Sequence, residues 1–351
     1  MPDRMGPDVA TIGILNGGGD CPGLNAAIRA VVRKGVEVYG DRILGFRDGY
    51  RGLLDGTAVE LTPDSSRGIL HRGGTILGTS RLDPFRVDGG IDLLKRTMDT
   101  FGADGLIVVG GEGTLGTAAK LWADGVPIVG VPKTIDNDLA ATDFTFGFDT
   151  AVQIATDAID RLHTTAESHN RVMVLEVMGR HAGWIALYSG LAGGADVILI
   201  PEEPFDIDEV CSHLRRRHSK GHFFSIVVVA EGAQAKEGTL QGPAYDRDEF
   251  GRPKLGGIST TIADEIQART GFETRVTILG HVQRGGTPTA TDRVLATRYG
   301  IAAIDLATAG TWGRMVSLRG QEIVDVSLDE AVSRLKVVPP ELYEVAEVFF
   351  G

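Results

Sequence analysis

Cysteine is scarce: Cys21 and Cys211 are the only two in 351 residues. They are too few and too far apart to define a disulfide framework or a zinc site, which leaves a reducing, cytoplasmic setting as the default. No apolar run reaches membrane length, and Met1–Ala10 carries prolines and charges where an export signal would carry an apolar core. Neither export nor a membrane partner is therefore expected. Positive charge is also in deficit. A net charge of -12 and a pI near 5.2 argue against non-specific nucleic-acid binding, although a local arginine cluster can still hold an anionic substrate. No repeat of solenoid period occurs.

The chain does have length and glycine. At 42% hydrophobic residues it can bury a large core, and its length suggests two domains. Its 48 glycines concentrate after apolar runs, where a tight turn or a close approach to a ligand requires them.

Thr11–Leu15 reads as a strand, Asn16–Gly23 as a glycine turn and Leu24–Tyr39 as a helix. Free N–H groups at such a helix start, with the macrodipole behind them, attract phosphate. No Gly-Lys-Ser/Thr follows, so this is not a P-loop. Arg42–Phe46 is a second strand, and the polar loop His71–Arg81 ends in a guanidinium suited either to a phosphate or to an ordinary surface ion pair. The strand Gly105–Val109 runs into Gly110–Gly116, which is read as a turn before a helix Thr117–Trp122. Gly111, Gly113 and Gly116 match a dinucleotide fingerprint. Glu112 between them would repel a pyrophosphate unless a divalent cation intervenes, so Glu112 is assigned to Mg2+ instead.

The strand Val126–Val131 leads into Pro132-Lys133-Thr134-Ile135-Asp136-Asn137-Asp138, where two carboxylates, a hydroxyl and an ammonium share one short run. A carboxylate here can take a proton from a substrate hydroxyl; the plainer alternative is an Asx-turn. A second α/β set follows. Its helices are Thr150–Thr164, Ala182–Leu191 and Ile207–His218, and its strands are Arg171–Val177, Asp196–Ile200 and Phe223–Val229. Position after a strand marks Arg180 and Glu231 as candidates. Gln234–Gly257 reads as a surface excursion. Arg275, His281 and Arg284 flank one strand end beside Gly285-Gly286, as a phosphomonoester site needs. Thr287 at N-cap and Pro288 at N1 are expected to open a long helix reaching about Thr308.

Five motifs carry a resemblance: Gly17-Gly18-Gly19-Asp20-Cys21-Pro22-Gly23-Leu24-Asn25, Gly110-Gly111-Glu112-Gly113-Thr114, Thr134-Ile135-Asp136-Asn137-Asp138, Met178-Gly179-Arg180 and Gly280-His281-Val282-Gln283-Arg284-Gly285-Gly286. Their order and spacing resemble those of bacterial-type 6-phosphofructokinases over nearly the whole chain. The resemblance implies an α/β protein of two Rossmann-like three-layer domains with mostly parallel sheets and an active site in the cleft between them. Residues 1–147 plus 283–333 would bind nucleotide, and 148–282 plus 334–351 the sugar phosphate.

It further implies transfer of the γ-phosphoryl group of ATP to the 1-hydroxyl of fructose 6-phosphate, as in glycolysis. Asp136 would be the base, with Thr134 and Asp138 positioning the reacting groups. Glu112 would hold Mg2+, and Gly18 would offer its N–H to the donor phosphates, near Gly111, Gly113 and Thr114. Arg81 and Arg180 would stabilise developing charge. Met178, Gly179 and Glu231 would contact the sugar, His281 and Arg284 its 6-phosphate, and Arg171 and Arg275 the substrate of a neighbouring subunit in a homotetramer.

Two departures from the family pattern matter. Gly113 is what ATP users carry, where pyrophosphate users place Asp; Lys133 is what pyrophosphate users carry, where familiar ATP enzymes place Gly. Absence of a steric and electrostatic block outweighs an added cation, so ATP is the expected donor and pyrophosphate the alternative. At the family's effector site Arg29, Arg33 and Lys220 match, whereas Pro63, His163 and His222 replace basic side chains, which weakens any polyanionic effector. A reading of another class is a non-catalytic phosphosugar or nucleotide sensor on the same fold.

Overall fold

The computed structural model describes residues 9–240 and 256–350. In chain order the elements are β1 (Thr11–Asn16), α1 (Leu24–Lys34), β2 (Arg42–Phe46), α2 (Tyr50–Asp55), β3 (Ala58–Leu61), α3 (Gly90–Phe101), β4 (Gly105–Gly110), α4 (Glu112–Ala123), β5 (Ile128–Thr134) and β6 (Phe146–Gly147). They continue with α5 (Phe148–His169), β7 (Val172–Val177), α6 (Trp184–Ala192), β8 (Val197–Leu199), α7 (Ile207–Ser219), β9 (Ser225–Ala230), α8 (Ile258–Thr270) and β10 (Thr274–Ile278). The last are α9 (Ala290–Thr308), β11 (Arg314–Arg319), β12 (Glu322–Ser327), α10 (Leu328–Val332) and α11 (Pro340–Glu347). Two compact units result. The first comprises Met1–Ile135, Leu139–Asp149 and Arg284–Leu335, and the second Asp136–Asp138, Thr150–Gln283 and Lys336–Gly351.

In the first unit the strand order is β12-β11-β5-β4-β1-β2-β3, with β6 beside β5. The central strands are parallel, while β3 and β12 close the two edges antiparallel. All six residues of β4 are buried, as expected of a parallel strand covered on both faces, whose sequence then reads as a continuous apolar run. Leu15, Phe46, Leu106, Val108, Leu115 and Ile128 join in one core. Each such side chain contributes about 1.5–3 kcal/mol on burial, so the apolar strands fix the sheet before any polar contact is counted.

The second unit has the parallel order β10-β7-β9-β8. Its separate core sets Val174, Val227 and Val229 against Val210 and Leu214 of α7 and Ile262 and Ile266 of α8. The edge strand β10 keeps Arg275 and Ile278 exposed. Among the described residues no helix is long and apolar enough to cross a membrane. Of the expected excursion Gln234–Gly257, residues 241–255 lie outside the described residues.

Several expectations need correction. The first α-helix ends at Lys34, and Gly35–Tyr39 continues as a π-helical turn closed by Gly40 with φ 74°. α4 starts at Glu112 rather than Thr117, because the first turn of a helix needs no intrahelical N–H partners and so tolerates Gly113. β5 runs on to Thr134, so Pro132 and Lys133 belong to a strand, not a loop. α9 is capped by Thr289, whose hydroxyl accepts from Asp292 N–H at 3.3 Å; Thr287 and Pro288 precede the cap. The pair α2–β3 and the hairpin β11–β12 were not anticipated.

Candidate active site

Unit 1 builds its site where β1, β4 and β5 end. After β1 the chain turns through Gly17–Gly23, and the His71–Arg81 loop is tied to that turn. Asn25 Nδ2 donates to Arg72 O at 3.0 Å and Asn25 Oδ1 accepts from Ile76 N–H at 2.9 Å. Thr79 Oγ1 donates to Gly18 O at 2.7 Å. The Gly18 N–H, expected to face a donor phosphate, instead donates to Ser80 O at 2.9 Å. Arg81, next in the loop, is exposed.

Glu112 and Gly113 are both exposed at the first turn of α4, and Thr114 is buried behind them. Acidic charge is favoured at that helix end. A Cβ added to Gly113 would meet nothing within 4 Å, whereas one added to Gly111 would lie 3.3 Å from Lys133 O. Lys133 is buried, and its ammonium donates to Gly19 O, so the cation sits inside the glycine turn. Thr134, half-buried at the end of β5, has its carbonyl bonded by Thr145 Oγ1 at 2.7 Å. Among the described residues no group of three or more His, Cys, Asp or Glu side chains can cage a metal. Mg2+, however, is commonly held by one or two carboxylates together with substrate phosphates and waters, and the exposed Glu112 fits that mode.

Cys21 lies buried in the same turn, and loss of solvation pushes its thiol up to about 12. Arg284 is placed against this turn too: its guanidinium occupies the space a Gly19 Cβ would need and donates to Asp20 O at 3.3 Å. A guanidinium takes the nearest carbonyl acceptors, and Gly19 leaves room for it.

Unit 2 collects Asp136–Asp138 with the turns after β7 and β9. Glu231 N–H donates to Val177 O at 2.8 Å and Gly232 N–H to Gly179 O at 3.0 Å, so these two turns are joined through their backbones. Gly179 has φ 145°, a conformation open to glycine and strained for other residues. Burial raises the Glu231 carboxyl above its ordinary value. The charges of Asp136 and Glu176 add to this, and the Arg180 guanidinium opposes it. Asp136 and Arg180 therefore act electrostatically on Glu231 with opposite sign, and a carboxyl so perturbed marks a candidate functional site. Met178 is buried, and its N–H donates to Gln283 Oε1 at 2.9 Å.

Arg171 and Arg275 converge on one carboxylate. Arg171 pairs with Glu273 at 2.9 Å, Arg275 pairs with the same oxygen, and His281 is exposed further along that edge. At the effector positions Arg33 pairs with Glu37 at 2.9 Å, and His163 Nε2 lies 2.7 Å from Gly193 O. The sequence reading missed Ser80, Gln283, Glu202 and Lys336, each of which bonds to a site segment or to its support. Only Gln283 had a signal, its place inside a quoted motif.

The family description Phosphofructokinase matches residues 11–307. The chain is 60% identical over 340 residues to the pyrophosphate–fructose 6-phosphate 1-phosphotransferase of Amycolatopsis methanolica, covering 97% of this chain and 99% of the relative. It is 54% identical over 341 residues to the ATP-dependent 6-phosphofructokinase of Mycobacterium leprae, with the same shares. Among solved structures, that of Pichia pastoris phosphofructokinase in the T-state aligns with a TM-score of 0.82 at 35% identity, covering 99% of this chain and 37% of the yeast chain.

Proposed function

The chain belongs to the phosphofructokinase family, and from that premise we propose that it moves the γ-phosphoryl group of ATP to the 1-hydroxyl of fructose 6-phosphate. The observation that carries this is the joining of the turns after β7 and β9, which bear Arg180 and Glu231, through Glu231 N–H to Val177 O and Gly232 N–H to Gly179 O, with the Asp136 charge acting on Glu231. A carboxylate able to accept the hydroxyl proton stands with a guanidinium able to stabilise charge on the group in flight. Phosphoryl transfer asks the protein chiefly for such positioning and charge. Asp136 is the base, and Thr134 and Asp138 orient the reacting groups. Arg180 and Arg81 meet the developing charge, Met178, Gly179 and Glu231 contact the sugar, and His281 and Arg284 hold its 6-phosphate. Glu112 with the donor phosphates would hold Mg2+, which when bound neutralises phosphate charge.

The donor rests on Gly113. The space beside its α-carbon is open, which leaves room for a nucleotide α-phosphate that an aspartate would fill and repel. Pyrophosphate is the second reading. It is favoured by the Lys133 ammonium within the glycine turn and by the name of the 60% identical relative. With either donor, Arg171 and Arg275 complete a partner's site in a cytoplasmic homotetramer. The deciding experiment follows fructose 1,6-bisphosphate formation by the purified chain with Mg2+ and either ATP or pyrophosphate. Turnover with ATP is expected; turnover with neither donor would overturn the assignment.

A further inference from the structure

Asn137, between the two carboxylates of the Asp136–Asp138 loop, is buried and has φ 51°. That left-handed backbone is uncommon for any residue but glycine and is tolerated best by Asn and Asp. Something outside the loop must hold it. The holder is on the distant segment before α11: Lys336 Nζ donates to Asn137 Oδ1 at 3.0 Å, and Lys336 N–H donates to Asp138 O at 2.8 Å. One residue thus grips two successive loop residues, the first by side chain and the second by backbone.

Lys336 is itself fixed from two sides. Trp184 Nε1–H donates to Lys336 O at 2.9 Å, and the ammonium stands 5.2 Å from the centre of the Trp184 indole. Two residues on, Val338 N–H donates to Glu202 Oε1 at 2.8 Å, and the same carboxylate accepts Gly183 N–H at 3.0 Å. A lysine left in water samples many rotamers, and this one has been restricted before the loop meets substrate. A neutral donor would satisfy the Asn137 carbonyl as well; the ammonium makes the bond charge-assisted, hence stronger.

We propose that Lys336 is a positioning residue that sets the Asp136–Asp138 loop for phosphoryl transfer, with Trp184 holding it in place. The inference rests on the reading of Asp136 as the base. It acts through geometry: displacement of reacting groups by about 1 Å costs on the order of 100-fold in rate. The contribution therefore belongs to the transition state and is read in kcat.

The test compares Lys336→Met, Lys336→Arg and Trp184→Phe with the wild-type chain. Lys336→Met keeps the length of the side chain and removes the ammonium. It is expected to lower kcat about 10- to 100-fold while both KM values stay within about 3-fold. Lys336→Arg, which keeps a cationic donor, recovers most of that loss. Trp184→Phe, which keeps an aromatic face and deletes the Nε1–H, gives a smaller kcat loss of the same kind and carries the test if Lys336→Met fails to fold. A Lys336→Met or Trp184→Phe enzyme with wild-type kcat, or a loss confined to KM, overturns the proposal. Amide hydrogen exchange of a peptide covering Ile135–Leu139 gives a reading independent of turnover. Exchange is expected to quicken there in Lys336→Met, and unchanged protection overturns the proposal. A wild-type chain without turnover on any donor removes the assigned reaction, and the exchange measurement still decides the positioning.

Discussion

Gly232 and Arg180 meet backbone to backbone: a Cβ added to Gly232 would stand 2.0 Å from the Arg180 carbonyl oxygen. The turn after β9 can lie against the turn after β7 only because Gly232 carries no side chain. The conformation of Met178–Arg180 is thus set partly by a residue that touches no substrate in the proposed reaction.

Gly232→Ala is expected to destabilise the chain by about 1–3 kcal/mol, the usual cost of forcing atoms into a packed site. Moving Arg180 should also lower kcat/KM for fructose 6-phosphate, since the guanidinium is assigned to the group in flight. Thermal unfolding and steady-state kinetics check the two effects. A variant with wild-type Tm and wild-type efficiency would show that the turns can separate at no cost.

Glu231 supplies a pH dependence. Burial first, then the charge of Asp136, raises its pKa above the ordinary 4.5. Between that ordinary value and the raised one the folded chain holds more protons than the unfolded chain, so stability falls as pH increases through this window. Glu231→Gln removes the ionisation. Its Tm should match wild type near pH 5 and exceed it at pH 8, by about 2 °C if the gain is near 1 kcal/mol. A glutamine variant no more stable than wild type at pH 8 would remove burial of the charge as the cause.

Most of this layout was legible in the sequence where one physical signal dominated. Parallel strands buried on both faces read as short apolar runs, and β4 and β7 are found within a residue of their expected ends. Where signals competed, the reading failed. Glu112–Gly116 is polar and glycine-rich, so turn chemistry hid a helical start that needs no propensity in its first turn. The hairpin Arg314–Arg319 and Glu322–Ser327 turns at Gly320-Gln321 between two short runs rich in apolar residues, a signal present but outweighed by the α/β rhythm before it. The motif residues of the site were visible as motifs. The Gly18 contact with Ser80 and the Lys336 contact with Asn137 were not, because nothing in local sequence reports a bond between residues 62 or 199 positions apart.

The pair Arg171 and Arg275 leads to a test of shared sites. Both guanidinium groups lie on Glu273 at the edge of the second sheet, where a partner chain could recruit them by displacing one carboxylate. Arg275→Ala should raise KM for the sugar phosphate, while Asp136→Ala should lose roughly 10²–10⁴-fold in kcat with little change in KM. Mixed oligomers of the two variants should regain part of the activity through sites that draw an intact residue from each chain. Verified mixed oligomers with no recovery would confine the site to one chain.

The donor is tested where two residues disagree. Gly113 lies at an exposed position with open space beside it, so Gly113→Asp should fold normally, and a change in its kinetics reports the donor rather than the fold. A carboxylate there opposes the nucleotide α-phosphate in a site of lowered dielectric, and kcat/KM for ATP should fall by about 100-fold or more, the range of a single lost electrostatic contact at a reacting centre. Lys133 is a different matter, since its ammonium is buried and bonded to Gly19 O, and Lys133→Gly would open a cavity as well as remove charge. Lys133→Met keeps the length and isolates the charge; ATP efficiency should survive it largely intact. With Lys133 present to offset charge on a smaller donor, Gly113→Asp should also uncover turnover with pyrophosphate. Measuring kcat/KM for both donors in the three proteins at saturating fructose 6-phosphate separates the readings. Wild-type preference for pyrophosphate would transfer the assignment to Lys133, and unchanged ATP efficiency in Gly113→Asp would remove the steric and electrostatic argument on which the ATP reading stands.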